Sequence, residues 1–181
     1  GTATYPLEIA RHVIENATSK QDAARSLSQR LFAFELLIGP YSVAHMRLTQ
    51  LLEDTGITLG KEGVQVFLTN SLTDPGDVSD DYQQISLWEV MEDINEENRR
   101  AGLVKNQKTP IRIVAGNPPY FRSNRQEALG AGSTAYRNVV LEEHNGNKPL
   151  LDDFLEPLKA RGLGGQAKNL YNSYIYFIRW A

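Results

Sequence analysis

Asn117, Pro118, Pro119 and Tyr120 follow the mainly apolar run Ile111–Gly116, and their side chains together suit one kind of chemistry. The amide oxygen of Asn117 accepts hydrogen bonds, and so does a neighbouring backbone carbonyl. Pro118 and Pro119 fix φ, restrain the residue before them and carry no N–H, so these acceptors sit in a stiff loop. Two acceptors aimed at one NH2 group draw its hydrogens out of an aromatic ring plane and localise a lone pair that is otherwise spread over the ring. Such an amine can attack an electrophilic methyl group in line, with the rate coming mainly from positioning. Tyr120 supplies a flat face for base stacking, worth roughly 1–3 kcal/mol per base. A duplex substrate would have to flip its target base out to reach it. The plain alternative is a proline-rich turn that ends a strand.

A methyl donor needs its own holders. Glu35 closes the apolar stretch RLFAFE, where a carboxylate can accept both hydroxyls of a ribose, as acidic residues do in dinucleotide folds. It can equally be an ordinary helix-cap or surface acid. Asn70, in LTNSL, either reads an adenine or caps the next turn. Gly1, Thr2 and Thr4, in GTATY, allow a backbone to approach a ligand closely. The acids of DPGDVSDD lack calcium-loop spacing, and His12, His45 and His144 have no metal spacing. No metal site is therefore expected.

Charge singles out the same region. Residues 1–98 carry 6 basic and 16 acidic side chains, whereas residues 99–137 carry 8 basic side chains and one acidic. The basic block brackets the Asn-Pro-Pro-Tyr stretch and favours a polyanionic partner, or else is a solvated face. The absence of cysteine excludes disulfides and suits a reducing cytoplasm. No apolar run approaches the roughly 18 residues of a membrane span, so no membrane partner is expected.

The elements that must position these groups alternate in type. Helical spacing covers residues 7–17, with Pro6 in the first turn, then 20–29, 39–56, 84–101, 150–161 and 168–181, with Pro157 breaking or kinking the fifth. Val43, Met46, Leu48, Leu51 and Leu52 share one face of the third. Strands are expected at 30–35, 63–70 and 109–116. Such alternation implies a parallel sheet with helices on its faces, whose ligands collect at the carboxyl ends of the strands. That places Glu35, Asn70 and Asn117 at one rim with the Gly1–Thr2 loop. The aromatic residues Tyr171, Tyr174, Phe177 and Trp180 suit a helix core better than a stacking ladder.

GTATYPLEI, LFAFELLIGPYSVAHMRL, VFLTNSL, IRIVAGNPPY and YNSYIYFIRWA, in that order, resemble the N6-adenine DNA methyltransferase domain of large single-chain restriction-modification enzymes, the type ISP group. NPPY is shared by several amine-directed methyltransferases and sets the reaction type; FELLIGPYSVAH points to this group. The resemblance implies an α/β, partial Rossmann-like class I S-adenosylmethionine-dependent fold with a mainly parallel sheet, truncated at both ends. Residues 1–181 would form a partial catalytic domain, with 121–165 inserted between the catalytic loop and the last helix. Catalysis would fall to Asn117, Pro118, Pro119 and Tyr120. S-adenosylmethionine would be held by Gly1, Thr2, Thr4, Glu35, Asn70 and Asn117, and DNA by Tyr120, Phe121, Arg122 and Arg125.

Ala3 stands where the family commonly has a second glycine. The family's first strand, which separates the strand at 30–35 from that at 109–116, has no counterpart here. The isolated chain is therefore expected to bind cofactor poorly and turn over little, and the rest of a larger restriction-modification polypeptide is an expected partner. Methylation of a protein glutamine or an RNA guanine uses the same NPPY, and a non-catalytic DNA-associated fragment is a third possibility.

Overall fold

The computed structural model describes residues 1–72, 88–105, 110–118, 140–143 and 146–181; within 88–105, side chains are described for 96, 97 and 99–105. The chain divides into two compact units, one of residues 1–71 and 89–105, the other of 72–88 and 106–181.

In the first unit, Leu7, Ala10 and Ile14 recur at helical spacing and become the buried stripe of α1 (Thr4–Glu15). Ser19 starts α2 (Lys20–Arg30) by accepting a hydrogen bond from the Asp22 N–H at 3.3 Å. Strand β1 (Phe32–Glu35) leads into α3 (Ile38–Glu53), which buries Ala44, Leu48 and Leu52. After α3, Gly56 takes φ +87° while its N–H donates to the Glu53 carbonyl at 2.8 Å, a turn that glycine enters without steric cost. Strand β2 (Gln65–Leu68) follows, and later α4 (Trp88–Lys105).

β1 and β2 pair in parallel, with Phe32 opposite Gln65 and Glu35 opposite Leu68. Strand side chains alternate between faces, so this register sorts the sheet into two faces. Ala33 and Val66 join the core shared with α1, α2 and α3. Phe32, Phe34 and Phe67 turn the other way, onto Ala101 and Val104 of α4. A half-buried β1 and a more deeply buried β2 thus lie between helices, an α/β arrangement.

The second unit gathers Leu72, Val140, Leu141, Leu151, Leu155 and Tyr176 into its own core. It contains α5 (Asp152–Ala160), a 3-10 segment (Gly164–Leu170) and α6 (Ser173–Trp180). Arg179 links α6 to α5 by donating to the Leu150 carbonyl at 2.8 Å and pairing with Asp153.

Four sequence expectations change. Residues 110–116 form no strand, and Ile111, Ile113 and Val114 are exposed; β-branched residues favour extended backbone, but a strand also needs a partner ladder. On α3, Val43 and Met46 are exposed while Ala44 takes the core position, so the apolar stripe is narrower than its composition suggests. Pro157 neither breaks nor ends α5, which runs on to Ala160 with Leu155 buried. The last helix starts at Ser173, because Asn172 Oδ1 accepts the Tyr174 N–H at 3.0 Å and opens a new helix there. Of its aromatic residues, Tyr176 is the buried one, Tyr171, Phe177 and Trp180 pack partly against the core, and Tyr174 is exposed. The start of the helix expected at 84–101 and the whole 121–139 stretch lie outside the described residues.

Candidate functional site

The carboxyl ends of β1 and β2 collect the residues expected to hold a cofactor. Glu35 is the last residue of β1, and its side chain is only 11% exposed. Oε1 accepts the Leu37 N–H at 2.8 Å, and Oε2 pairs with the Gly1 ammonium. The Glu35 carbonyl accepts the Thr69 N–H at 2.8 Å, which carries the parallel ladder one residue past β2. Thr2 is fixed from α3, where Arg47 Nη1 donates to its carbonyl at 2.9 Å. The first unit therefore brings Gly1, Thr2, Glu35 and the Thr69–Asn70 turn together, with Thr4 opening α1 beside them.

Ala3 is buried at φ 62°, ψ 30°, a left-handed conformation that costs a residue with a Cβ about 1–2 kcal/mol. The position therefore suits glycine by its backbone, independently of any relative. Just past Glu35, Leu36, Leu37 and Ile38 are all more than half exposed. They form an apolar lip beside a carboxylate.

The other side of the rim is set by α4. Lys105 Nζ donates to the Asn70 carbonyl at 2.6 Å and to Thr69 Oγ1 at 3.0 Å, and lies 5.6 Å from the Phe34 ring centroid. Thr69 is 7% exposed.

Asn117 belongs to the second unit and is exposed, with Pro118 half-buried beside it. Pro119, Tyr120, Phe121, Arg122 and Arg125 lie outside the described residues. Much of the basic block on α4 is engaged locally. Arg99 pairs with Glu96, and Arg100 donates to the Glu62 carbonyl and to Gln65 Oε1, each at 3.3 Å, while lying 5.3 Å over Phe67. The Arg99 bond lowers the Glu96 carboxyl and raises Arg99 itself. Arg99, Arg100 and Lys105 thus add less to a polyanion-binding surface than their charge in the sequence suggests.

Two positioning residues escaped sequence reasoning. Lys105 carries a signal, as a cation in the last turn of a helix that complements the exposed carbonyls there. Arg47 reaches a carbonyl 45 positions away, and nothing in the local sequence marks it. A cavity of about 170 Å³ in the second unit, lined by Val140, Leu141, Leu151, Leu155 and Tyr171 among others, contains none of the expected site residues. Among the described residues, no cluster of His, Asp or Glu could hold a metal ion. Among them, too, no helix is long and apolar enough to cross a membrane.

No protein-family model matches the chain, and no curated protein sequence matches it significantly. Among solved structures it is similar to a nuclease-deletion mutant of the Type ISP restriction-modification enzyme LlaGI, determined in complex with a DNA substrate mimic. The TM-score is 0.57 at 21% identity, over 99% of this chain. The chain spans 13% of that enzyme's length. At this identity the likeness is one of fold.

Proposed function

We propose that the chain forms the cofactor-holding and amine-presenting part of an S-adenosylmethionine-dependent DNA methyltransferase within a larger restriction-modification polypeptide, with the N6 amine of a flipped adenine as acceptor. One observation carries the reading: Gly1, Thr2, Glu35 and the Thr69–Asn70 turn meet at the carboxyl ends of two parallel strands, where α/β sheets take their ligands. The fold shared with a restriction-modification enzyme bound to a DNA mimic supports the wider setting.

The residues fit the cofactor. Glu35 Oε1 accepts the Leu37 N–H, which orients a carboxylate that can accept from a ribose diol. Leu36, Leu37 and Ile38 offer apolar surface next to it that would keep water from a flat purine. When bound, S-adenosylmethionine supplies a methyl group on a sulfonium that leaves as a neutral thioether. Asn117 would accept a hydrogen bond from the target amine and so localise its lone pair, with Pro118 keeping that acceptor rigid. Asn117 is exposed and can meet a base brought from outside. The proton lost from the amine passes to water or to an acceptor at this corner.

The test is methyl transfer from tritiated cofactor by the polypeptide that carries this chain. Adenine-containing duplex DNA, RNA and a glutamine peptide are offered side by side. Labelling of DNA is expected. Asn117→Ala should reduce it by about a hundredfold or more, on the scale of removing one oriented transition-state hydrogen bond. Labelling of the peptide or RNA instead would transfer the same chemistry to another substrate, and unchanged DNA labelling by Asn117→Ala would remove Asn117 from its role.

A further inference from the structure

We infer that Lys105 is a positioning residue for base recognition: it holds the Thr69–Asn70 turn so that the chain distinguishes a 6-aminopurine from a purine without that amine. The inference rests on the proposed cofactor site and adds a residue to it.

Thr69 and Asn70 leave β2 at its carboxyl end, where the parallel ladder has made its last bond, Thr69 N–H to the Glu35 carbonyl. Beyond that bond the β1–β2 ladder no longer restrains the turn. Lys105 supplies the restraint from a different element. Its ammonium donates to the Asn70 carbonyl at 2.6 Å and to Thr69 Oγ1 at 3.0 Å, both charge-assisted bonds of the stronger kind. The same ammonium faces the Phe34 ring at 5.6 Å, so one cation spans the ends of both strands. Lys105 is also the last residue of α4, where the helix's own carbonyls favour a positive charge. Thr69 is buried, so its hydroxyl needs a partner, which Lys105 provides.

A hydrogen-bonding reader discriminates only if it is held still, because a mobile amide can follow either ligand. Fixing the Asn70 carbonyl fixes the peptide from which the Asn70 amide projects. Glu35 is held separately, by Leu37 N–H, so ribose recognition and base recognition have different supports.

The experiment compares adenosine, purine riboside and 2′-deoxyadenosine by ligand-observed NMR titration of the polypeptide that carries this chain, at ligand concentrations high enough for weak binding. The wild-type chain should prefer adenosine to purine riboside by about tenfold, the worth of one hydrogen bond. Lys105→Met should bring that ratio close to one and leave the preference for adenosine over 2′-deoxyadenosine unchanged. Thr69→Val, which removes one acceptor and keeps the lysine, should lower the first ratio by a smaller factor and decides the matter if Lys105→Met does not fold.

An unchanged first ratio in the folded variants overturns the inference. So does an equal fall in both ratios, which would mean that Lys105 only supports the strand ends in general. A wild-type chain that ignores the 6-amino group but still prefers ribose overturns the role of Asn70 and Lys105 while leaving Glu35 in place. A wild-type chain that binds none of the nucleosides overturns the proposed cofactor site and this inference with it.

Discussion

VFLTN and IRIVAGN are close counterparts in sequence: each is an apolar, β-branched run ending at an asparagine. Their structures differ. β2 buries Val66 and Phe67, pairs with β1 over four residues and is covered by α4. Residues 110–116 are irregular, and Ile113 is 82% exposed. Strand formation is thus a property of a pair of segments rather than of one, because the ladder and the cross-strand contacts supply most of the stability.

The strongest way to break this comparison is to cut both runs to alanine. Phe67→Ala should cost about 3–5 kcal/mol, because the ring is 1% exposed and packs on Phe34, Ala101 and Val104. Ile113→Ala should change stability by less than about 0.5 kcal/mol, as exposed sites do. Urea unfolding of both variants measures the contrast, and a large loss from Ile113→Ala would mean that this run has a packed partner after all.

The next largest effect tests how β2 is held from outside the sheet. Leu68 N–H donates to Glu97 Oε2 at 3.2 Å, and Glu97 lies 3.7 Å from Arg100. Glu97→Ala should destabilise the first unit by about 1–3 kcal/mol, the penalty of leaving a half-buried amide without its acceptor. Exchange of the Leu68 amide with deuterium should accelerate in the same variant.

A smaller effect bears on the site. Ala3→Gly relieves a left-handed backbone at some entropic cost, for a net gain of about 0.5 kcal/mol, readable as a rise in the urea midpoint.

These contrasts also show what the sequence could convey. Leu7, Ala10 and Ile14 on α1, and Leu48 and Leu52 on α3, follow helical spacing and are buried as expected. RLFAFE and GVQVFLTN contain the two strands, and Glu35 closes the first. The meeting of Glu35 with the Thr69–Asn70 turn was legible because both sit at strand ends, and parallel pairing brings strand ends together. The failures share a cause: whether 109–116 pairs, which of Val43 and Ala44 faces the core, and where Arg47 and Lys105 reach all depend on contacts distant in sequence. Asn172 is an exception, a local cap that a closer reading of NSYIY would have found.

The carboxylate at Glu97 has a consequence beyond stability. A short parallel strand with an open flank presents donors on which a foreign β-segment can build, and the usual defences are charge and cover. Glu97 occupies such a donor on β2 with a charged group anchored on α4, so the Leu68 amide is not on offer to a foreign strand.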